Sequence, residues 1–520
     1  MSIDLLTHSP IFILAIPLLF AFLTPLVNKI SKKMRNVLFL VGLILTVSFV
    51  GIMSYQVLTD GSWFYVFGAD SPKPGSIRPA FFRITFIADS FSVLATITIA
   101  ITALAAGIHS FKFMEGYSGL GKFYTLFFLT LGGVNGMVLT GDLFNLFVWF
   151  EVTSVASCAL IAFRNSRGES IEAALKYMIL STIGGLLVLF SIGLLYGEYG
   201  VLNYVLLNRA IAQNPAVFAN KLALGLLTVI FAMKASSVPM HMWAPDAYSE
   251  APGSMTPFIA ITSMGSLFVL FRLFFDVFSF HLDPTVGGNI LIILGVLSMF
   301  IGVSMALVQS DLKRLIAYLS VSQIGYMLMA VGVGFATWQT AEFSEFGKLA
   351  MKGGLFHMLN DGVYKALLFL SAVAVVHATG KRDLNKLGGL AHKMPYTTVL
   401  FLIGGLFIAG VPPLSGFSSK LMIYESVYLY NPILAVIALV VSIITLAVIG
   451  KAFFNVFLGP DQGMADGEVP KSMLFATGIL LVVLIGFTLF PNYVVSELIS
   501  PAVKALTREL AEGISAGMIA

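Results

Sequence analysis

Several charged side chains stand inside segments that are otherwise apolar. Lys234 ends a long apolar run and is soon followed by Pro239 and Pro245. If that run crosses a bilayer, a charge deep inside it costs roughly 2.5–3.5 kcal/mol. Because proline removes a backbone donor, the helix is predicted to break near Val238 and to leave carbonyl groups that protein or water must satisfy. A lysine in such a position takes part in packing, in assembly or in ion movement. The alternative is a re-entrant turn that happens to contain a lysine.

Glu151 lies in the middle of the run LFNLFVWFEVTSVASCALIAF, whose other polar groups are mainly small hydroxyls. A charged carboxylate in such surroundings needs a cation from another helix, and Lys234 is the candidate. Two interpretations of this pair stay open. It is a fixed link between helices, or it is a proton switch whose charge changes as the two groups separate.

A second polar group is predicted on one helix. His357, Asp361 and Lys365 follow one another at intervals of four in GGLFHMLNDGVYKALLFLSAVAVVH. This spacing places them on one face, and an acid N-terminal to a lysine is the favourable order for an ion pair. Since histidine titrates near neutral pH, this polar stripe of three side chains can pass protons. The alternative is a buried network that only fixes helix packing.

Lys420 repeats the arrangement seen around Lys234. In GGLFIAGVPPLSGFSSKLMIYES, several glycines and the pair Pro412 and Pro413 interrupt the helix before Lys420. Two proline-broken helices that each carry a buried lysine predict two similar halves, as in transporters with inverted repeats.

The elements that must position these groups are membrane-spanning helices. The chain of 520 residues is 58% hydrophobic and only 11% charged, and apolar segments of spanning length recur along almost all of it. We predict an all-α polytopic membrane protein with about 14 transmembrane helices, at 10–28, 36–58, 84–108, 121–140, 143–163, 171–197, 220–240, 255–276, 285–308, 314–337, 349–377, 396–427, 432–458 and 471–492. Spans 4–8 and 9–13 would form two inverted five-helix repeats in which helices 7 and 12 are broken.

These spans divide the chain into an N-terminal three-helix segment (1–120), a first half (121–276), a second half (285–458) and a last helix with the C-terminal tail (459–520). More than half of the 30 lysines and arginines lie in the loops after spans 1, 3, 5, 9, 11 and 13. The positive-inside rule assigns those loops to the cytoplasm, so both termini are predicted to lie outside.

Composition excludes several other functions. The net charge is only +4 and lies mostly in loops, so no nucleic-acid partner is implied. Cys158 is the single cysteine, which excludes an intrachain disulfide, a cysteine-ligated iron–sulfur cluster and a cysteine-rich zinc site. We therefore expect no cofactor and no metal in this chain, and any redox chemistry would belong to a partner.

Several motifs resemble the antiporter-like subunits shared by respiratory complex I, the multisubunit Mrp sodium/proton antiporters and membrane-bound hydrogenases. The resemblance covers roughly residues 85–460. Its motifs are TGDLFNLFVWFEV around Glu151, Lys234 with PMHMWAPDA, DLKRLIAYLSVSQIGYM from Asp311, VYKALLFL around Lys365, and VPPLSGFSSKL around Lys420. The first is most similar to the Mrp D subunit and its counterparts in hydrogenase or sulfane-reductase complexes.

The resemblance implies an ion-translocating subunit of a multisubunit complex in a prokaryotic cell membrane. Protons, and sodium where exchange is coupled, would move through a relay driven by a partner redox module or by antiport. Its implied residues are Glu151, Lys234, His357, Asp361, Lys365 and Lys420. In the family pattern Glu151 and Lys234 form the glutamate–lysine pair, Lys365 is the central lysine and Lys420 the terminal one. Other membrane subunits would be the partners, and any enzyme activity would belong to the complex.

Two positions depart from the family pattern. Ala260 stands where a bridging histidine is often found, so the link between the half-channels is expected to use water, Ser263 or His241. Asp361 replaces a second histidine, which changes the charge of the axis and would favour a cation site. Two other functions stay open: a stand-alone secondary transporter of a small solute, and a structural membrane spacer.

Overall fold

The computed structural model describes residues 7–67, 84–279, 282–460, 462–463 and 467–507, and this part of the chain is almost entirely helical. The α-helices are α1 (Ser9–Ile30), α2 (Lys32–Asp60), α3 (Ser90–Phe113), α4 (Leu120–Leu139), α5 (Leu143–Ile161), α6 (Gly168–Tyr199), α7 (Tyr204–Gln213), α8 (Val217–Lys234), α9 (Trp243–Glu250), α10 (Thr256–Arg272), α11 (Pro284–Val308), α12 (Leu312–Thr337), α13 (Lys348–Thr379), α14 (Pro395–Ala409), α15 (Ser415–Tyr430), α16 (Pro432–Phe453), α17 (Lys471–Leu489), α18 (Pro491–Val494) and α19 (Ser500–Thr507).

Short irregular turns and one hairpin complete the described elements. Two 3-10 turns and four π-turns cover Gly253–Met255, Leu384–Lys386, Leu273–Val277, Phe343–Gly347, Phe454–Leu458 and Val495–Ile499. The strands β1 (Trp63–Val66) and β2 (Thr85–Ala88) pair antiparallel, with Trp63 opposite Ala88.

The predicted membrane architecture is confirmed in its main feature. Thirteen helices within the described ranges are long and apolar enough to cross a membrane. The predicted twelfth span, 396–427, is divided between α14 and α15, neither of which is long enough alone. Every predicted span overlaps at least one helix, so the all-α polytopic fold is borne out. The inverted symmetry of the two repeats and the four-part division of the chain stay predictions.

The start of the third span differs from the prediction. Residues 84–89 were expected to be helical, but Thr85–Ala88 forms β2, and α3 begins only at Ser90. Asp89 follows the strand and caps the helix, because its Oδ1 accepts a hydrogen bond from the backbone N–H of Ser92 at 2.8 Å. A short apolar run is compatible with a strand or with a helix, and hydropathy alone does not distinguish them.

The first broken helix ends earlier than predicted. The break comes at Lys234 itself, not at Val238, and Ser236 follows with φ +68°, a backbone region that residues with a side chain rarely adopt. The chain then resumes as α9. The carbonyl of Met233, freed by the break, accepts a hydrogen bond at 2.8 Å from the indole Nε1 of Trp243. Protein groups therefore satisfy the open helix end, as expected for irregular backbone within a membrane.

The second broken helix places its lysine differently. The helix α14 is followed by Gly410, whose φ is +74°, and by Pro412 and Pro413. Lys420 lies after this break, in α15, whereas Lys234 lies before the break in the first half. A Cβ at Gly410 would stand 2.8 Å from Cδ of Lys420. Glycine is therefore needed here both for the turn and for the passage of the lysine side chain.

The helix α13 occupies the centre of the molecule. It packs against α3, α10, α12, α14, α15 and α17. The neighbouring helices α10 and α12 are wholly buried, whereas outer helices expose large apolar side chains such as Phe22 and Ile443. Since α13 carries His357, Asp361 and Lys365, the predicted polar stripe lies in the core and away from the lipid-facing surface.

A buried ion-pair group that the sequence analysis missed joins α10 to α3. The Arg272 side chain is 4% exposed. Its Nη2 lies 2.5 Å from Oδ1 of Asp89 and 3.0 Å from Oγ of Ser92, and its Nη1 lies 2.8 Å from Oδ2 of Asp276. The interval of four between Arg272 and Asp276 was the available indication. One cation thus holds two buried carboxylates together.

Arg272→Met is expected to lower the free energy of unfolding by about 3–5 kcal/mol, because it leaves two buried carboxylates without their cation. Thermal unfolding of the purified complex measures the loss. The control is Arg209→Met, since Arg209 makes no ion pair with any residue that the structure describes. Equal melting temperatures for the two variants would contradict a stabilising role for this group.

Candidate functional site

Lys234 is surrounded by hydroxyl groups of α5 and α6. Its Nζ donates hydrogen bonds to Oγ of Ser154 at 2.8 Å, to the hydroxyl of Tyr177 at 3.0 Å and to Oγ of Ser181 at 2.8 Å. The rings of Phe150 and Tyr177 lie 4.8 and 4.3 Å from Nζ. An ammonium group has three N–H donors. The hydroxyl cage formed by Ser154, Tyr177 and Ser181 therefore offers one acceptor to each donor.

Glu151 does not form the direct ion pair that was predicted. Lys234 is absent from the ion pairs of the described residues, and its three donors are taken by the hydroxyl cage. The half-buried Glu151 carboxylate rests against α6, where a Cβ at Gly185 would collide with its Oε1. Acid and amine still interact through space. The prediction of a direct contact is therefore wrong. Because Gly185 has no side chain, the carboxylate fits against α6 and does not reach the lysine.

A hydroxyl cluster lies beyond the first break, in the direction of α13. The hydroxyl of Tyr248 is 2.5 Å from Oγ of Ser263, and Oγ of Ser236 lies 3.3 Å from the first and 3.2 Å from the second. The Tyr248 ring packs edge-on against Phe369, with centroids 6.0 Å apart. Phe369 follows Lys365 by one turn of α13, so the cluster stands between Lys234 and the second half.

Ser263 therefore occupies the region where a link between the halves was expected. Ala260 lies one turn before it on α10 and is 2% exposed. His241 is also buried, but its Nδ1 has no hydrogen-bond partner among the described residues, its other hydrogen bond goes to the backbone at Pro239, and its ring centroid lies 6.3 Å from that of Tyr318. Of the two side chains considered for the link, only Ser263 joins a hydrogen-bonded cluster.

The stripe on α13 is divided into two parts. Asp361 and Lys365 form the predicted ion pair, with Oδ2 and Nζ 2.5 Å apart and side chains 1% and 6% exposed. His357 does not contact that pair. Its Nδ1 lies 3.1 Å from Oγ of Ser419, and its Nε2 lies 3.2 Å from Oε1 of Gln323 and 3.4 Å from the hydroxyl of Tyr364. The histidine thus connects α13 to α12 and α15.

Lys420 is held by the helix break beside it. Its side chain is fully buried. Its Nζ donates hydrogen bonds to the carbonyl of Ile408 at 2.8 Å and to Oγ of Ser442 at 3.1 Å, and the ring of Tyr326 lies 4.7 Å away. The Ile408 carbonyl belongs to the last turn of α14, where carbonyl groups lack helical partners. Its neighbour in sequence, Ser419, contacts His357, so the hydrogen bonds of α13 reach the turn of α15 that carries Lys420.

Sequence reasoning missed most of the groups that solvate these charges. They are Tyr177, Ser181, Ser236, Tyr248, Gln323, Tyr364 and Ser442. The best available indication was Gln323, an amide in a helix that is buried on every side. Serine and tyrosine occur on many helix faces, and composition does not indicate which of them face a buried lysine.

Residues 140–445 match a family described as NADH:quinone oxidoreductase/Mrp antiporter, transmembrane. The chain belongs to this family. It is 31% identical over 464 residues to the D subunit of the Na⁺/H⁺ antiporter from Alkalihalophilus pseudofirmus, covering 87% of this chain and 88% of that one.

Two solved structures have nearly the same fold. One is a chain of the Mrp complex from Dietzia sp., with a TM-score of 0.85, 25% identity and coverage of 98% of this chain and 99% of that one. The other is a chain of an archaeal respiratory membrane complex, the membrane-bound sulfane sulfur reductase, with a TM-score of 0.84, 25% identity and coverage of 98% and 100%.

These relatives confirm the resemblance to antiporter-like subunits. They also support the predicted place of this multi-pass chain in a prokaryotic cell membrane among other membrane subunits. The individual roles of Glu151, Lys234, His357, Asp361, Lys365 and Lys420 stay proposals.

Proposed function

We propose that this chain, as an antiporter-like subunit, moves protons through its buried polar axis. The observation that supports the proposal most strongly is that each of its three central lysines is buried and has polar protein partners. Lys234 has the hydroxyl cage, Lys365 has Asp361, and Lys420 has the carbonyl of Ile408 with Ser442. Ionisable side chains inside a membrane are costly and typically mark ion pathways, and the hydroxyl and imidazole groups beside these lysines are groups that can pass a proton.

In the proposed mechanism the first step lies at Lys234. A change in a neighbouring subunit moves Glu151 toward or away from the amine and so alters the stability of the ammonium group. In the structure the two groups are apart, and the hydroxyl cage holds the ammonium. Serine and tyrosine hydroxyls both donate and accept hydrogen bonds, so the cage and the cluster of Ser236, Tyr248 and Ser263 can pass a proton toward α13.

The second half would then carry the proton outward. Lys365 receives it beside Asp361, whose negative charge compensates the ammonium in the core. From there Tyr364, His357 and Ser419 lead toward Lys420, and water would bridge the steps from Lys365 to Tyr364 and from Ser419 to Lys420. The segment between the hydroxyl cluster and Lys365 has no continuous chain of hydrogen bonds among the described side chains, and water would complete it.

The driving reaction belongs to the partners in this proposal. The relatives include one subunit of a Na⁺/H⁺ antiporter and a chain of a respiratory complex, so both antiport and a peripheral redox module are compatible with it. The subunits encoded beside this chain distinguish the two: nickel–iron and iron–sulfur subunits indicate a redox engine, and Mrp subunits alone indicate antiport.

Lys420→Ala is expected to reduce proton transport about 100-fold, because it removes the terminal proton carrier of the axis. Fluorescence quenching of a pH-sensitive dye in inverted vesicles that contain the assembled complex measures transport. The matched control is Lys451→Ala, since that lysine is exposed near the end of α16 and donates hydrogen bonds to carbonyls at the C-terminal end of α11. Normal transport by a fully assembled Lys420→Ala complex would refute the proposed role, and would favour a structural spacer.

A further inference from the structure

A cavity of about 700 Å³ opens where the loops after spans 3, 5, 9 and 11 meet. All four were assigned to one face by their basic residues, and the cavity shows that they do lie together. The charged side chains in its wall are Lys112, Arg164, Arg167, Lys313, Arg382 and a single acid, Glu115. None of the residues that line the cavity is one of the three central lysines or a hydrogen-bond partner of them.

Two of the five cations are matched by carboxylates. Lys112 pairs with Glu115 at 2.5 Å. Arg382 lies 2.5 Å from Oε1 of Glu250 and 2.7 Å from Oδ2 of Asp311. These pairs neutralise the charge of two cations in the wall, and three cations remain.

The other three cations have no carboxylate partner among the described residues. The Nζ of Lys313, a buried side chain, donates hydrogen bonds to the carbonyls of Ser249 at 2.7 Å and Ala251 at 3.0 Å. Arg164 and Arg167 make no ion pair in the same part of the chain. The five cations face three carboxylates, Glu115, Glu250 and Asp311, so the cavity carries an excess of positive charge, which favours an anionic ligand.

Arg164 is held in position to bind such a ligand. Its guanidinium group lies 5.3 Å from the ring centroid of Tyr117 and 5.8 Å from that of Phe113. Its Nε is buried and has no hydrogen-bond acceptor. A buried N–H without an acceptor is costly, so the wall contains an oriented donor that lacks its partner.

We propose that this cavity binds a phosphate-bearing anion, with Arg164 and Arg167 as its ligands and Lys313 as an additional charge. The guanidinium fork matches the oxygens of a phosphate group in two parallel hydrogen bonds. The volume exceeds that of inorganic phosphate and suits a phosphomonoester or the headgroup of an anionic phospholipid. Basic pockets between transmembrane helices on the cytoplasmic side bind such headgroups.

The test uses the intact complex, purified in detergent and stripped of lipid. Native mass spectrometry counts bound phosphatidylglycerol, with phosphatidylcholine as the zwitterionic comparison, while inorganic phosphate is titrated as a competitor. Saturable binding of phosphatidylglycerol that millimolar phosphate does not displace identifies a lipid headgroup site. Binding that phosphate displaces identifies a site for a free phosphate compound.

The double variant Arg164→Gln/Arg167→Gln is expected to weaken the observed binding at least about 10-fold, because two charged ligands are lost. The control is Lys32→Gln/Lys33→Gln, which removes the same charge from exposed positions in the first turn of α2. Arg164→Lys keeps the charge without the fork, and partial binding is expected. The proposal is overturned if both double variants bind equally, or if neither ligand binds the wild-type complex saturably.

Discussion

Lys234→Met is expected to reduce proton transport by the assembled complex about 100-fold, because in the proposed mechanism this side chain takes up the proton in the first half. The apolar replacement has a similar length and fills most of the same space, so the helices α5, α6 and α8 keep their packing. Tyr177→Phe removes only one of the three acceptors and leaves both serines. Its effect on transport is therefore expected to be smaller than that of Lys234→Met.

The measurement is dye quenching in vesicles, with the amount of assembled complex determined in the same preparation. Lys221→Met is the matched control, since this lysine lies on the same helix, α8, and is exposed. Transport at the level of the control by Lys234→Met would rule out a proton carrier at this position. An equal loss in Tyr177→Phe and Lys234→Met would indicate that the cage and the amine act as one unit.

Lys365→Met is expected to lower the free energy of unfolding by about 3–5 kcal/mol, because it leaves the buried Asp361 carboxylate without its cation. The double variant Asp361→Asn/Lys365→Met removes both charges and is expected to recover most of that stability. If Lys365 carries protons, the double variant still fails to transport. Stability and transport thus respond differently to the second substitution.

Thermal unfolding of the purified complex and dye quenching in vesicles measure the two properties on the same variants. Lys352→Met is the control on α13, since Lys352 makes no ion pair within the described ranges. A double variant that is stable and transports normally would show that the pair only joins helices. A single variant as stable as the control would show that Asp361 does not need its lysine.

The positions of the spans could be predicted because a bilayer requires long apolar segments, and these stand out in any sequence. The ion pair of Asp361 and Lys365 could also be predicted, since both residues lie on one helix and helical geometry fixes their distance. The hairpin before α3 could not, because four apolar residues suit a strand as well as a helix.

Contacts between different helices were harder to predict than contacts within one helix. The partner of Glu151 depends on how α5, α6 and α8 are rotated about their axes, and an apolar helix with scattered serines gives little indication of its rotation. For the same reason the partners of Lys420 could not be predicted. They are a backbone carbonyl and Ser442 on α16. Every residue has a backbone carbonyl, so the sequence does not identify the one that binds Lys420. Only the position of the helix break shows which carbonyl lacks a helical partner.

Gly185 sets the distance between the acid and the amine of the first half, although it has no charge and lies on a helix that carries neither group. Any side chain at this position would occupy the volume that Oε1 of Glu151 now fills. The carboxylate would then have to rotate into another conformer. The electrostatic coupling of Glu151 to Lys234 is thus adjustable by the size of one neutral residue, independently of the charges themselves.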